Sequence, residues 1–376
     1  MNGERERCER HMSLGKRKIR VMVVDDSAVM RKLIPRLLDK DDEIEVVATA
    51  LDGDFAIMKI EQAKPDVVTL DVDMPRMDGI TALRHIVERY GIAVLMLSSF
   101  TTEGAALTLK ALELGAVDFI CKPASSDRMG EMSSELIAKI KAAARSQVVE
   151  LSYGQSRGPV AKPNGSWPRR RSAAKRLVAI GASSGGPNAL RFMLPKIPGD
   201  FAAGIVIVQH MPEKFTEMLA RWLDDICEIE VKEARDGDMI MPGRALMAPG
   251  NAHLRVRRTA LGAIVELDRQ QPVNGHKPSV DVLFRSVAAE YGSSAVALIM
   301  TGMGCDGAAG IGEIKRAGGL TLAQDKDSCT IFGMPRAAID RGCVDKVLSL
   351  GDMASYLISA VGRSVSTEGV SDAGSN

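Results

Sequence analysis

A chain of 376 residues exceeds what one hydrophobic core fills, and at about 150 residues per domain it predicts two domains with connecting segments. Lys plus Arg number 49 against 48 Asp plus Glu, a net charge of +1, which excludes the one-signed field of a nucleic-acid binder. An aromatic content of 4% excludes a ring-lined surface for single strands or sugars, and no apolar run reaches the roughly 20 residues of a membrane span.

The first residues, MNGERERCERHMSLGKRKIR, are charged and lack the apolar segment of a signal peptide, so a cytoplasmic location is expected. Six scattered cysteines without a C-x-x-C pair predict reduced thiols. From residue 19, strand-like and helical patterns alternate. IRVMVVDD (19–26) is a β-branched run suited to a strand buried on both faces. The helical AVMRKLIPRLLDK follows, and Pro35 inside it is expected to kink or shorten the helix. Then come strand IEVVATA (44–50), helix FAIMKIEQA, strand DVVTLDV (66–72), helix ITALRHIVERY, strand AVLMLSS (93–99), helix EGAALTLKALELG and strand AVDFICKP (117–123). Five strands alternating with helices predict a doubly wound parallel α/β domain over 18–130, after an extension at 1–17. A polar helix and a Gly-, Pro- and Ser-rich basic linker, with Arg169–Arg171, fill 131–174.

Alternation restarts with strand RLVAIGAS (176–183), helix NALRFMLPK, strand AGIVIVQHM (203–211), helix EKFTEMLARWLDDI and strand EIEVKEA. Residues 243–268 lack a helical period and read as antiparallel ribbon. Helix VDVLFRSVAAEY, strand SAVALIMTG, helix GAAGIGEIKRAG, strand LTLAQD and helix PRAAIDR complete a second, Rossmann-like α/β domain over 175–365; a tail at 366–376 is expected to be disordered.

In a parallel sheet the C-terminal strand ends share one edge, where ligands of such folds bind. Asp25 and Asp26 close the first strand, Asp71 the third, Ser98 the fourth and Lys122 the fifth. Three carboxylates form a hard-oxygen site suited to Mg²⁺, and a hydroxyl and an ammonium beside them suit a phosphoryl group. The segments VMVVDDS, LDVDMPRMDG, MLSS and DFICKP resemble the receiver domain of response regulators, a flavodoxin-like fold. The resemblance implies that Asp71 is phosphorylated, that Asp25, Asp26 and Asp71 hold Mg²⁺, and that Ser98, Phe119 and Lys122 respond to the phosphoryl group.

In the second domain a strand runs into Ser183-Ser184-Gly185-Gly186-Pro187 and then a helix, which exposes a serine beside unpaired backbone N–H groups. His210 ends the next strand, within reach of the same edge, and is a natural general base. Asp306, in the glycine-rich turn GMGCDGAAG, suits the acid that orients an imidazole, although it also suits a helix cap. His253 reads as structural, His276 as a residue that lines the site, and Asp325 as a poorer acid. The glycines of GASSGG leave a phosphate cradle open as a reading, but the G-x-G-x-x-G spacing is missing. Residue physics does not choose between Ser183 and Ser184.

The set IGASSGGP, VQHMP, MAPGNAH, HKPSVDVLFRSVA, LIMTGMGCDGAAG and FGMPRAAI resembles the catalytic domain of the CheB family of chemotaxis methylesterases. That resemblance implies a phosphorylation-activated serine hydrolase with Ser183 as nucleophile, His210 as base, Asp306 as acid and the Met303 N–H as an oxyanion donor. It implies γ-glutamyl methyl esters of methyl-accepting chemotaxis receptors as substrates, glutamine deamidation as a second activity, and a histidine kinase as phosphodonor. Cys305 stands where the family commonly has Asn, and a buried or inert thiol is expected there. A receiver-coupled binding module without catalysis is the rival reading.

Overall fold

The computed structural model describes residues 17–99, 101–122, 129–145 and 174–362. All of the N-terminal extension before Arg17, with Cys8 and His11, nearly all of the expected linker with Arg169–Arg171, and the C-terminal tail lie outside the described residues. The chain divides into two compact units, Met1–Val149 and Glu150–Asn376.

The first unit runs β1 (Ile19–Val24), α1 (Ala28–Leu38), β2 (Ile44–Ala50), α2 (Gly53–Ala63), β3 (Val67–Asp71), α3 (Gly79–Tyr90), β4 (Ala93–Ser98), α4 (Thr102–Glu113), β5 (Asp118–Cys121) and α5 (Met129–Arg145). Its strands pair in parallel in the order β2-β1-β3-β4-β5. Helices cover both faces, which is why β3 and β4 are buried at every position and read as continuous apolar runs. Helix starts are set locally: the side chains of Ser27, Asp52, Asp78 and Thr101 each accept a backbone N–H of the first turn. Pro35 does not end α1, which continues to Leu38; Ile34, Leu37 and Leu38 are buried and hold the last turn against the core. One side of the core joins Val21, Val23, Leu95 and Leu97 to Leu136, Ile140 and Ala143 of α5.

The second unit runs β6 (Leu177–Ala182), α6 (Gly186–Met193), β7 (Gly204–Gln209), α7 (Phe215–Ile226), β8 (Glu230–Glu233), β9 (Arg244–Met247), β10 (His253–Thr259), β11 (Gly262–Asp268), α8 (Val280–Tyr291), β12 (Ala295–Ile299), α9 (Ala308–Arg316), β13 (Leu320–Gln324), α10 (Met334–Asp340), β14 (Lys346–Leu348) and α11 (Met353–Val361). Seven strands form a parallel sheet in the order β14-β13-β12-β6-β7-β9-β8. Among the described residues β10 and β11 form the antiparallel ribbon. The expectation of ribbon throughout 243–268 is therefore corrected: β9 is a sheet strand, held in parallel between β7 and β8. Three of its four residues are buried, so its short apolar run is that of a two-faced sheet strand.

Both sheets reverse strand order beside their first strand. In the first unit β2 lies on one side of β1 and β3 on the other. In the second, β7 lies on one side of β6 and β12 on the other. Loops that leave such a strand diverge and open a crevice at its C-terminal end.

Candidate active site and receiver site

In the first unit Asp25 and Asp71 are buried and Asp26 is exposed. One oxygen of each lies within 4.8 Å of the others. Lys122 Nζ reaches 2.9 Å from Asp25 Oδ2 and 2.6 Å from Asp71 Oδ2. Asp25 Oδ2 is buried and has no hydrogen bond of good geometry among the described residues. Burial pushes the Asp71 carboxyl up to about 6, against the pull of Lys122 and helped by repulsion from Asp25 and Asp26. One ammonium among three carboxylates leaves negative charge and hard oxygen donors to spare, and this donor set fits a divalent cation such as Mg²⁺.

The other receiver positions sit on the same edge or beneath it. Ser98 is buried, and its Oγ is turned into α4, 3.1 Å from Gly104 O and 2.7 Å from Thr108 Oγ1. Phe119 is buried on β5. Lys139 of α5, which no sequence motif singled out, places its Nζ 5.4 Å from that ring and 2.5 Å from Phe119 O. It also pairs with Asp118 at 3.2 Å and Glu135 at 2.8 Å, so this buried ammonium is fully partnered.

In the second unit the sheet register sets Ser183 and His210 side by side. Ala182 lies opposite Gln209, and His210 N donates to Ala182 O at 3.0 Å. On the other flank Ser183 N donates to Thr301 O at 3.0 Å, just past β12. Ser183 is half-buried, whereas Ser184 is buried, which favours the first serine as the accessible one. The glycines after it answer to packing. A Cβ at Gly186 would meet Gln209 Oε1 at 2.0 Å, and Gly185, at φ +75°, would place one 2.3 Å from Thr330 Oγ1. Side chains thus already occupy the space against these glycines, which counts against a phosphate cradle.

His210 Nε2 lies 2.9 Å from Asp306 Oδ2. Asp306 is buried and accepts four further hydrogen bonds, from Asn274 Nδ2, Ser279 Oγ, Val280 N and Asp281 N. Burial alone would raise its pKa, but His210, Asn274 and Val280 hold it well below the usual carboxylate range. An ionised carboxylate only accepts, so the imidazole proton sits on Nε2. His210 Nδ1 is then a free lone pair, and it is buried without a partner among the described residues. Ser183 Oγ makes no hydrogen bond to it. The Met303 N–H makes no hydrogen bond among the described residues.

The CheB methylesterase family pattern matches residues 178–357, and the response regulator receiver pattern matches residues 21–133. A protein-glutamate methylesterase/protein-glutamine glutaminase of Koribacter versatilis (strain Ellin345) is 52% identical over 350 residues, which is 90% of this chain and 95% of that protein. The chain belongs to the CheB methylesterase family. A protein-glutamate methylesterase/protein-glutamine glutaminase of Pyrococcus horikoshii (strain ATCC 700860) is 46% identical over 358 residues, 93% of this chain and 95% of its own. The crystal structure of the Thermotoga maritima CheB methylesterase catalytic domain is 41% identical, covers 50% of this chain and 98% of its own, and has a TM-score of 0.49.

Further residues frame this CheB-family site. Gln209 donates through Nε2 to Ser183 O at 2.8 Å and His210 O at 3.2 Å, pinning the two strand ends together. His276 stacks on His210, with ring centroids 4.0 Å apart and planes 9° from parallel, so it lines the site as expected. His253 is structural: its Nδ1 accepts from Ser279 N at 3.1 Å, and its Nε2 lies 3.1 Å from Gln271 O. Asp325 is spent on Ser328, capping its own loop. Cys305 is exposed, so of a buried or inert thiol the buried alternative does not hold; the turn that buries Asp306 points the preceding residue to solvent.

Proposed function

We propose that this chain is a phosphorylation-activated protein-glutamate methylesterase that acts on methyl-accepting chemotaxis receptors. The observation that carries the reading is His210: one ring nitrogen is tied to a buried carboxylate, and the other is unpartnered on the strand end beside Ser183. In this mechanism Ser183 Oγ attacks the carbonyl carbon of a γ-glutamyl methyl ester and its proton passes to His210 Nδ1. Asp306 stabilises the imidazolium, and the Met303 N–H receives the oxyanion, a donor of a kind worth about 10²–10³ in rate. The C–O bond to methoxide breaks as Nδ1 returns the proton, and methanol leaves. Water, deprotonated by the same nitrogen, then releases the glutamate and regenerates Ser183. A glutamine side chain offers the same carbonyl, so deamidation with loss of ammonia is the second activity.

The receiver, placed at 18–130, supplies control, and residues 131–174 connect it to a catalytic domain at 175–365. Asp71 accepts a phosphoryl group from a chemotaxis-type histidine kinase, with Lys122, Ser98 and Phe119 as the responding positions. Mg²⁺ bound by Asp25, Asp26 and Asp71 would offset charge on the transferred group. The work is cytoplasmic on this reading; among the described residues no helix is long and apolar enough to cross a membrane.

The test is methanol release from methylated receptor by the full chain, with Mg²⁺ and a small acyl-phosphate donor. Release stimulated by the donor is expected, and Ser183→Ala should reduce it at least a thousandfold. Wild-type-like release from Ser183→Ala would overturn the assignment.

A further inference from the structure

Behind His210 stand two buried carboxylates that share one amide nitrogen. Asn274 Nδ2 lies 2.8 Å from Asp281 Oδ2 and 2.9 Å from Asp306 Oδ1. The two acids are 3% and 1% exposed, so water screens little of their repulsion. An amide NH₂ carries two hydrogens, and this placement gives one to each acid. Asp281 has one further close donor, Gly310 N at 2.7 Å; Arg285 stands off at 3.9 Å and is drawn to Glu313 at 3.2 Å. The backbone of Asn274 is left-handed, with φ 54°. Asn, Asp and Gly accept that conformation at least cost, so Asp and Gly can replace Asn there without new strain.

We propose that Asn274 is a positioning residue of the esterase: by donating to Asp281 and Asp306 together it holds the two carboxylates side by side and tempers the pull of Asp306 on a proton at the His210 ring. The inference rests on the reading of His210 as the base. Each donor on Asp306 draws on the negative charge that would otherwise stabilise the imidazolium. The other groups around the ring are Asp306 itself, the stacked His276, and His253, which acts through Ser279. None of them replaces the lost amide. Asn274→Asp exchanges a shared donor for a third carboxylate, and Asn274→Gly removes the donor while keeping the backbone.

The experiment titrates the full chain, labelled with ¹³C at histidine Cε1, from pH 5 to 9. The His210 signal is assigned by its loss in His210→Gln, and kcat/KM for methanol release is measured over the same range. In Asn274→Asp the His210 midpoint and the acid limb of kcat/KM should rise together by about one pH unit, a tenfold loss of rate below the limb. The rate above the limb should change less than about threefold. Asn274→Gly should move both in the same direction by less. An unmoved His210 midpoint in folded Asn274→Asp overturns the proposal, whatever the rate; if that variant does not fold, the midpoint of Asn274→Gly decides. A raised midpoint in chains that release no methanol upholds the proposal for Asn274 and overturns the esterase reading instead.

Discussion

Asp71 and Asp306 are both buried aspartates at strand-end loops, yet their surroundings drive them in opposite directions. Asp306 is saturated with donors and sits below the usual range, so its ionised form contributes stability above the unfolded value that is lost only as pH falls through the lowered one. Asp71 has Lys122 and two acidic neighbours, and burial carries it up to about 6. For a carboxyl raised in the fold the sign is reversed: the stability it contributes is complete below about 3.8 and is lost as pH rises through about 6. Asp71→Asn should therefore stabilise the metal-free first unit at pH 7.5 by about 2 kcal/mol, and hardly at all at pH 4. Urea unfolding at the two pH values checks this, and an equal gain at both would show that burial of charge is not the cause. At this scale the sequence was legible wherever chemistry and strand ends coincide, as at Asp25, Asp71, Ser183 and His210. It was not legible for Asn274, Gln209 or Lys139, whose residue types mark no chemistry alone and each of which also bonds a group 20 or more residues away that only the fold brings near.

Elements were read well where apolar runs and helical periods are long, because the central strands of each sheet are buried at every position and are mostly apolar. The failures have local causes. β9 is four residues long and adjoins a true ribbon, so nothing in its pattern separates the two. β14 is three residues, largely exposed, and was passed over together with α11. Pro35 is expected to kink or shorten α1, yet the helix runs on to Leu38, because burial of the flanking turn outweighs the missing hydrogen bond to Arg31 O. The cost should still be present in the fold. Pro35→Ala, which restores that N–H, should raise the stability of the first unit by about 1–3 kcal/mol, read as a higher urea midpoint. No gain would mean that the helix has already accommodated the ring.

On the scale of the whole molecule, two units with separate cores are joined in one chain, and each places its acids at the crevice beside its first strand. A sensor of phosphorylation and a hydrolase can then be separated by cutting outside both. A chain beginning at residue 150 retains the whole second compact unit. Under the proposed gating, it should release methanol from methylated receptor faster than the full, unphosphorylated chain, and it should ignore the phosphodonor. A folded fragment with an equal or lower basal rate would exclude inhibition by the receiver.

Ser183 and His210 occupy neighbouring rungs immediately beyond the last paired residues of β6 and β7, and Gln209 bolts their carbonyls together. Asp306 comes from a loop, but Val280 N and Asp281 N at the start of α8 hold it down. The loops around such a site can open without dismantling it, since each of the three residues is anchored to the central sheet or to a helix packed on it. Its integrity is that of the sheet, and the proposed catalytic set has no melting point of its own.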